Sequence, residues 1–303
     1  MDAHAGTLAA VDEPLHCYRH PSRETYLRCS ECGRPICTDC MHHAPVGIRC
    51  PEHANVGAPK PSAARTMRQA RGVFTRSHAP VTVGLIGANA VVFLAMLATG
   101  GTLDDTSSST LFAKGALIGQ QVGTGEWWRL ATAMFLHASI VHIGLNMFVL
   151  WVVGSAVEQL IGARRYLLVY LSAGLAGSAG ALLLPIMHVN GQIVMQYYSQ
   201  LPTVGASGAI FGIFGALLVL EYVATGSFTG QAMTLILINL GLSFALSNVS
   251  IGGHIGGLIG GVLGMAALAA TRYRRERWLG PAIVVGIGAI SVVLAIARAR
   301  GTI

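Results

Sequence analysis

The sequence is short of charge. Charged residues make up 11% of its 303 positions, against about 25% in an ordinary soluble domain. Cysteine is absent after residue 50, and all six cysteines lie between residues 17 and 50 inclusive. With 53% hydrophobic residues, the shortage of charge excludes an ordinary soluble domain and indicates a membrane protein. The confinement of cysteine indicates that a small domain with its own chemistry occupies the beginning of the chain.

Long apolar segments occupy most of the remaining chain. A bilayer core about 30 Å thick is crossed by a helix of roughly 20 apolar residues, and the sequence has seven such runs. They lie at roughly 80–100, 138–157, 165–187, 203–223, 232–249, 252–271 and 280–298. Because residues 1–79 are polar, we expect no cleavable signal peptide. We attribute the net charge of +7 to basic residues in the loops next to the membrane, and we expect no nucleic-acid partner.

The cysteines fall in short pairs, some of them completed by histidine. The pairs are Cys17 and His20, Cys29 and Cys32, Cys37 and Cys40, and Cys50 and His53. Six cysteines and two histidines suffice for two tetrahedral Cys3His zinc sites, which would be structural because no coordination position stays open. Three disulfides are the alternative, but they leave the two histidines unexplained and need an oxidising compartment. We expect His16, His42 and His43 to be solvated, although His42 or His43 could replace a ligand.

This cysteine-rich head resembles a B-box-type zinc finger, a cross-braced fold. The resemblance implies one ion on Cys17, His20, Cys37 and Cys40, and a second on Cys29, Cys32, Cys50 and His53. Spacing alone leaves sequential pairing open. A unit this small has almost no apolar core, so metal binding would supply most of its folding free energy. We expect a disordered N-terminus over 1–15 and then a zinc-binding domain over 16–54, for which a cytosolic protein is a possible partner.

A basic linker follows over residues 55–79 and sets the expected orientation. Part of it could lie on anionic lipid, and its basic residues are Lys60, Arg65, Arg68, Arg71 and Arg76. With the N-terminus in the cytoplasm, eleven basic residues fall inside and four outside, as the positive-inside rule requires. The inner set adds Arg164, Arg165, Arg272, Arg274, Arg275 and Arg277, and the outer set is Lys114, Arg129, Arg298 and Arg300. Seven crossings then put the C-terminus outside, and the reducing cytoplasm favours zinc over disulfides.

Four polar residues converge on one shallow layer near the outer surface. His142 and Asn146 are four residues apart in the second segment, so they share a helix face. Ser207 lies about four residues into the fourth segment, and His254 lies at a similar depth in the sixth, which also starts outside. Ionisable residues inside a membrane are costly, and by default they indicate a functional site.

The same segments carry glycines that let helices approach closely. We expect Gly205, Gly208 and Gly212 of the fourth segment to pack against the glycine-rich sixth segment, bringing Ser207 within reach of His254. A serine hydroxyl attacks only when a base takes its proton, and His254 is the candidate base. His142, Asn146 and the backbone N–H of Ser207 can stabilise the resulting oxyanion. The sequence has no acid at this depth, which predicts a Ser–His dyad.

These motifs closely resemble the rhomboid family of intramembrane serine proteases. The matching stretches are "GASG" at 205–208, "GHIGG" at 253–257, "HIGLN" at 142–146 and "EWWRL" at 126–130. The resemblance implies an all-α polytopic fold with a six-helix core over 80–272 and an additional transmembrane helix with a short tail over 273–303. It makes Ser207 the nucleophile and His254 the base, with Phe211 packed on the ring of His254. It makes His137 and the outer loop at 101–137 structural.

The implied substrates are single-pass or other transmembrane proteins, cleaved in or near the bilayer. The implied location is a bacterial plasma membrane, with the active site open to the extracytoplasmic side. A catalytically silent rhomboid-like protein that binds or traffics membrane clients is the alternative, although such relatives usually lack the serine or the histidine. A transporter or channel would need intramembrane charges along a path, and the centres of these segments have none.

Overall fold

A computed structural model describes residues 15–43, 47–54, 79–189, 192–195, 201–245, 249–272, 274 and 276–303. The chain divides into two compact units, Met1–Gly72 and Val73–Ile303. Apart from their last residues, the N-terminus over 1–15 that we expect to be disordered and the basic linker over 55–79 lie outside the described residues.

The first unit is built from very short elements around its cysteines. Strand β1 (Leu15–His16) pairs with β2 (Glu24–Thr25), and β3 (His42–His43) pairs with β4 (Ile48–Arg49), both antiparallel. A 3-10 turn covers Thr38–Cys40, and helix α1 covers Pro51–Ala54. Five of the six cysteines are buried together with Ile36. Since strands of two residues cannot bury an apolar face of their own, the cysteines form most of this core.

The second unit is helical, and the all-α polytopic membrane fold is confirmed. Its helices are α2 Pro80–Ala98, α3 Thr110–Gly115, α4 Gly119–Gly123, α5 Arg129–Thr132, α6 Ile140–Val149, α7 Ser155–Ile161, α8 Ala163–Leu183, α9 Ser207–Thr225, α10 Gln231–Ala245, α11 Ile251–Ala270 and α12 Leu279–Ala299. Helices α6 and α7 join through a π-turn into one span, Ile140–Ile161. Six helices of the described chain are long and apolar enough to cross a membrane.

The segment predicted at 232–249 differs from the others. It forms α10, which has 15 residues and so is shorter than the six spanning helices. Ser207 and His254 lie in the first turns of α9 and α11, and these helices are connected through α10, so the chain returns along α10 to the level at which α9 began. The additional C-terminal helix predicted at 280–298 is α12, which buries Val284 and Ala295.

Glycines bring α11 against two helices at once. On one face, a Cβ at Gly257 would overlap the carbonyl oxygen of Gly208, and a Cβ at Gly261 would overlap that of Gly212. These contacts confirm the expected packing of Gly208 and Gly212 on the sixth segment. On its other face, a Cβ at Gly256 would lie 2.8 Å from the Cα of Gly180 in α8. The glycine-rich helix α11 therefore packs closely against α9 on one face and against α8 on the other.

Gly205 does not belong to this packing, and the expectation for it was wrong. It precedes α9, has a φ of +126°, and its N–H donates to the carbonyl of Ala133 at 2.9 Å. Thr203 and Leu117 exchange backbone hydrogen bonds of 3.0 Å in both directions. This tie to the outer loop delays the helix, so that Ser207 is the first residue of α9 and not the fifth of a segment starting at 203.

Three short strands connect the loop after α8 to the start of α11. Strand β5 (Ile186–Val189) pairs antiparallel with β6 (Gln192–Met195) on one side and with β7 (Val249–Ser250) on the other. Ser250 then caps α11 by accepting from the N–H of Gly253 at 3.1 Å. The first turn of α11, which carries His254, is thereby held from outside the helix.

Two buried charged side chains brace the core. Arg129 donates to the carbonyls of Ala116 and Ala113 and pairs with Glu126, which closes the outer loop on itself. Glu158, 2% exposed, accepts from the N–H of Val81 and from both the N–H and the hydroxyl of Thr82. The first N–H groups of any helix have no acceptor within the helix, and the carboxylate of Glu158 accepts two of these hydrogen bonds at the start of α2.

Candidate active site

Ser207 and His254 are hydrogen-bonded across the contact between α9 and α11. The Oγ of Ser207 lies 2.8 Å from the Nε2 of His254. Ser207 is the first residue of α9 and His254 is the fourth of α11, one turn before Gly257. The glycine contact therefore lies directly beneath this pair, and it fixes the distance between the two side chains.

Phe211 holds the ring of His254 from one side. The two rings are stacked with centroids 4.2 Å apart and an interplanar angle of 16°. Phe211 lies one turn after Ser207 on α9, and both rings are buried. The expected contact between Phe211 and His254 is present, and it restricts tilting of the imidazole towards the phenyl ring.

The other ring nitrogen of His254 has a partner that the sequence analysis missed. Ser243 of α10 lies with its Oγ 2.6 Å from Nδ1 of His254. The Ser243 hydroxyl also donates to the carbonyl of Asn239, one turn earlier, at 2.8 Å. Both ring nitrogens of His254 thus face hydroxyl oxygens. A signal was available, since Asn239 and Ser243 are two polar residues four apart in a mainly apolar segment.

His142 lies beside the backbone that leads into Ser207. Its Nδ1 accepts from the N–H of Ala138 at 3.4 Å, which assigns the ring proton to Nε2. A Cβ at Gly205 would lie 2.8 Å from that Nε2, so only glycine leaves room for the ring here. The Nε2–H of His142 is consequently a donor that lies next to the residues preceding Ser207.

Asn146 is buried one turn further along the same helix. Its amide donates one hydrogen to the carbonyl of His142 at 3.0 Å, so it bonds to its own helix and keeps one amide hydrogen free for another acceptor. As the first residue of α9, Ser207 has a backbone N–H with no partner four residues earlier within the helix. Three N–H donors from His142, Asn146 and Ser207 therefore belong to this site.

A single cavity contains all of these groups. Its volume is about 590 Å³, and its lining includes Ser207, His254, His142, Asn146 and Ser243. The rest of the lining is mainly apolar, with Phe112, Met134, Leu145, Phe148 and Val149 among it. A cavity of this size holds several water molecules or an extended peptide segment of a few residues.

His137 is packed against the site but lies outside the cavity lining. It is completely buried, and its ring meets the ring of His142 edge-on with centroids 5.1 Å apart. Its carbonyl accepts from the hydroxyl of Thr106 at 2.7 Å. Burial, followed by the neighbouring His142, lowers the pKa of His137 to about 3. This neutral histidine packs against His142, and its carbonyl bonds to Thr106 of the same outer loop, which agrees with the loop-bracing role expected of it.

The head unit gathers its eight candidate ligands into two Cys3His clusters. Within each cluster the ligand atoms lie within 4.8 Å of one another. The clusters are Cys17, His20, Cys37 and Cys40, and Cys29, Cys32, Cys50 and His53. This is the cross-braced pairing that the B-box resemblance implies, whereas sequential pairing is not formed. His42 and His43 are exposed on β3 and belong to neither cluster.

The clusters fit a tetrahedral ion. The Nδ1 of His20 lies 3.3 Å from Sγ of Cys40, 3.4 Å from that of Cys37 and 3.9 Å from that of Cys17. Ligands at about 2.3 Å for sulfur and about 2.0 Å for nitrogen give edges of roughly 3.5 Å in a tetrahedron. Burial raises the pKa of the Cys17 and Cys29 thiols, but backbone hydrogen bonds outweigh it and lower the pKa of both to about 6.

Comparison with known proteins gives matches to rhomboid proteins. Residues 124–271 match the rhomboid domain. The rhomboid protease GluP of Bacillus subtilis (strain 168) is 38% identical over 236 residues, covering 76% of this chain and 41% of GluP. YdcA of the same strain is 35% identical over 139 residues, covering 44% of this chain and 63% of YdcA. RHOMBOID-like protein 6, mitochondrial, of Arabidopsis thaliana is 42% identical over 113 residues, covering 37% of this chain and 33% of that protein. The chain spans less than two thirds of the length of each of these relatives.

Proposed function

We propose, on the premise that this chain carries a rhomboid domain over residues 124–271, that it is an intramembrane serine protease with Ser207 and His254 as its catalytic dyad. The observation that carries the proposal is the 2.8 Å contact between Ser207 Oγ and His254 Nε2, inside a cavity between membrane-spanning helices. A hydroxyl in hydrogen-bond contact with a neutral imidazole is the arrangement that activates a serine nucleophile.

In the first half of the reaction, His254 Nε2 takes the proton of Ser207 as its Oγ attacks a peptide carbonyl carbon. The carbonyl oxygen becomes an oxyanion, and the donors for it are His142 Nε2–H, the free amide hydrogen of Asn146 and the backbone N–H of Ser207. His254 then gives its proton to the leaving amine, which leaves an acyl group on Ser207. In the second half, a water molecule in the cavity loses its proton to His254 and attacks the acyl carbon. The bond from that carbon to Ser207 Oγ then breaks, His254 returns the proton to Oγ, and the product leaves with a new carboxyl terminus.

The proposed substrates are transmembrane proteins. A peptide bond inside an intact helix is shielded, because its amide groups are bonded within the helix. Cleavage therefore needs a locally unwound segment, which small or helix-breaking residues favour. The volume of the cavity suits an extended segment of a few residues, and its mainly apolar lining suits a chain that arrives from lipid. The outer loop and α10 border the cavity, so we propose entry between α10 and the rest of the unit.

The proposed location is a bacterial plasma membrane, with the N-terminus in the cytoplasm and the site open to the extracytoplasmic side. The excess of Lys and Arg in the loops on the opposite side of the membrane supports this orientation. For the head unit we propose two structural zinc ions, one in each Cys3His cluster, and a cytosolic protein partner. Bound zinc would hold the hairpins together, and with four protein ligands it leaves no open position for catalysis.

The test uses two variants and a matched control. Ser207→Ala and His254→Ala should each abolish cleavage of a single-pass reporter substrate in reconstituted vesicles. The control is Ser291→Ala on α12, another buried serine, whose hydroxyl donates to the carbonyl of Ile287 at 2.8 Å. Ser291 is not part of the cavity lining. Unchanged cleavage in either dyad variant would refute the assignment. A wild-type protein that crosslinks to the reporter but never cuts it would favour the alternative, a catalytically silent client-binding protein.

A further inference from the structure

We infer that Ser243 is a positioning residue that fixes the productive tautomer of His254, an inference that deepens the proposed protease function and rests on it. Ser243 is contributed by α10, whereas the dyad is contributed by α9 and α11. Its Oγ lies 2.6 Å from His254 Nδ1. The dyad then has a neutral third member in the position where a carboxylate completes a Ser–His–Asp triad.

Hydrogen-bond accounting determines the direction of each bond. A serine hydroxyl has one hydrogen to donate and two lone pairs that accept. The hydrogen of Ser243 is donated to the carbonyl of Asn239 at 2.8 Å, so the oxygen faces His254 as an acceptor. His254 must therefore carry its proton on Nδ1, and its Nε2 is bare. Only a bare Nε2 can take the proton of Ser207, which lies 2.8 Å away.

The opposite tautomer would be unproductive. With the proton on Nε2, His254 would donate to Ser207 and could not act as its base. Which ring nitrogen carries the proton is set by the bond that the other nitrogen makes. His254 is 8% exposed and Ser243 is 2% exposed, so water does not readily replace this partner. When Nε2 gains the proton of Ser207, the ring becomes an imidazolium whose Nδ1–H already has an acceptor.

The same bond attaches the outer end of α10 to the base. At its other end, α10 is held by Glu221 of α9, which accepts from the N–H of Ala232 at 3.0 Å. Between these ends, Leu237, Ile238 and Leu242 are exposed and contribute little packing. The opposite face of the helix packs on the core through Ile236, and the bond from Ser243 attaches the outer end of the helix to His254. A movement of α10 away from the core would break the bond between Ser243 and His254, so the base is correctly prepared only when α10 is in place.

The experiment measures cleavage of a single-pass reporter by the full chain in detergent micelles. We expect Ser243→Ala to lower kcat on the order of tenfold with KM within about twofold, as for the loss of one buried hydrogen bond. Ser243→Thr keeps the hydroxyl and should recover most of the rate. Ser291→Ala is the matched control, because Ser291 is also buried and donates to its own helix. If Ser243→Ala does not fold, Ser243→Cys, with a weakly accepting sulfur of similar size, replaces it with the same expected loss.

A second readout does not depend on turnover. Nitrogen-15 spectra of histidine-labelled protein distinguish a protonated Nδ1 from a bare Nε2, and His254→Gln identifies the signals of His254. The wild type should have its proton on Nδ1, and Ser243→Ala should shift the signals towards a mixture of tautomers. The inference is overturned if Ser243→Ala matches the Ser291 control in kcat, if only KM rises, if threonine does no better than alanine, or if the His254 signals do not move. A wild-type enzyme without activity would refute the proposed function, while the spectra would still decide the inference.

Discussion

Replacing Gly257 by alanine should strongly reduce the proposed proteolytic activity while leaving the protein folded. Gly257 lies one turn after His254 on α11, and a Cβ there would overlap the carbonyl oxygen of Gly208, the residue after Ser207. The atom in the way belongs to the backbone, so no side chain can turn aside. The two helices must separate at the level where the dyad is formed.

The size of the effect follows from contact distances. Non-bonded heavy atoms settle near 3.5–4.0 Å, so relieving this overlap needs a separation of roughly 1–2 Å. Added to the 2.8 Å between Ser207 and His254, that shift exceeds hydrogen-bond range. A misplacement of about 1 Å lowers rates on the order of a hundredfold. Overpacking costs about 1–3 kcal/mol, and alanine returns about 1 kcal/mol of helix propensity, so the free energy of unfolding should fall by at most about 2 kcal/mol.

The assay is kcat for a single-pass reporter, with thermal unfolding measured on the same samples. Gly286→Ala on α12 is the control, because a Cβ there meets no heavy atom within 4 Å. That variant should cleave as the wild type does. Cleavage by Gly257→Ala within threefold of the control would refute the reasoning that backbone contact sets the dyad distance. Loss of the folded protein would instead indicate that α11 cannot shift at all.

Two further predictions concern the buried carboxylate and the head. Glu158→Gln should lower the free energy of unfolding by about 1.5–3 kcal/mol, because Glu158 accepts three hydrogen bonds from the start of α2. Thermal or denaturant unfolding measures this, with Glu276→Gln at an exposed position as a control that should change little. Equal stability of both variants would contradict the proposal that Glu158 stabilises the start of α2. Metal analysis should find about two zinc ions per chain and about one in Cys50→Ser, with His42→Ala unchanged. Absence of zinc together with thiols that resist alkylation would instead support disulfides.

Much of the site could be predicted because its parts are encoded locally. Spacing within the head brings ligands into pairs, and the B-box resemblance then gives the pairing that the structure forms. Helix periodicity puts Phe211 on the side of Ser207, where it stacks on His254. The glycines at 208 and 257 predict a close helix contact because nothing else explains small residues in that pattern.

Other features depend on contacts between distant parts of the chain. Gly205 is a glycine for its positive φ and for the ring of His142, which no count of small residues reveals. The start of α9 is set by the bonds between Thr203 and Leu117, so hydropathy alone places it several residues too early. Ser243 gains its role from a residue on another helix. The sequence of α10 shows that position 243 is polar, but it does not show that the partner is His254 on α11.

The shortness of α10 has a consequence for the lipid around it. Fifteen helical residues span about 22 Å, whereas the hydrocarbon core of a bilayer is about 30 Å thick. Hydrophobic mismatch of this sign is relieved when the adjacent leaflets thin. Lipid beside α10 should therefore be compressed and less ordered than lipid beside α12, which has 21 residues. If transmembrane proteins are the substrates, as proposed, a substrate segment that diffuses towards α10 would lose part of its apolar cover there, which would favour its unwinding before it reaches Ser207.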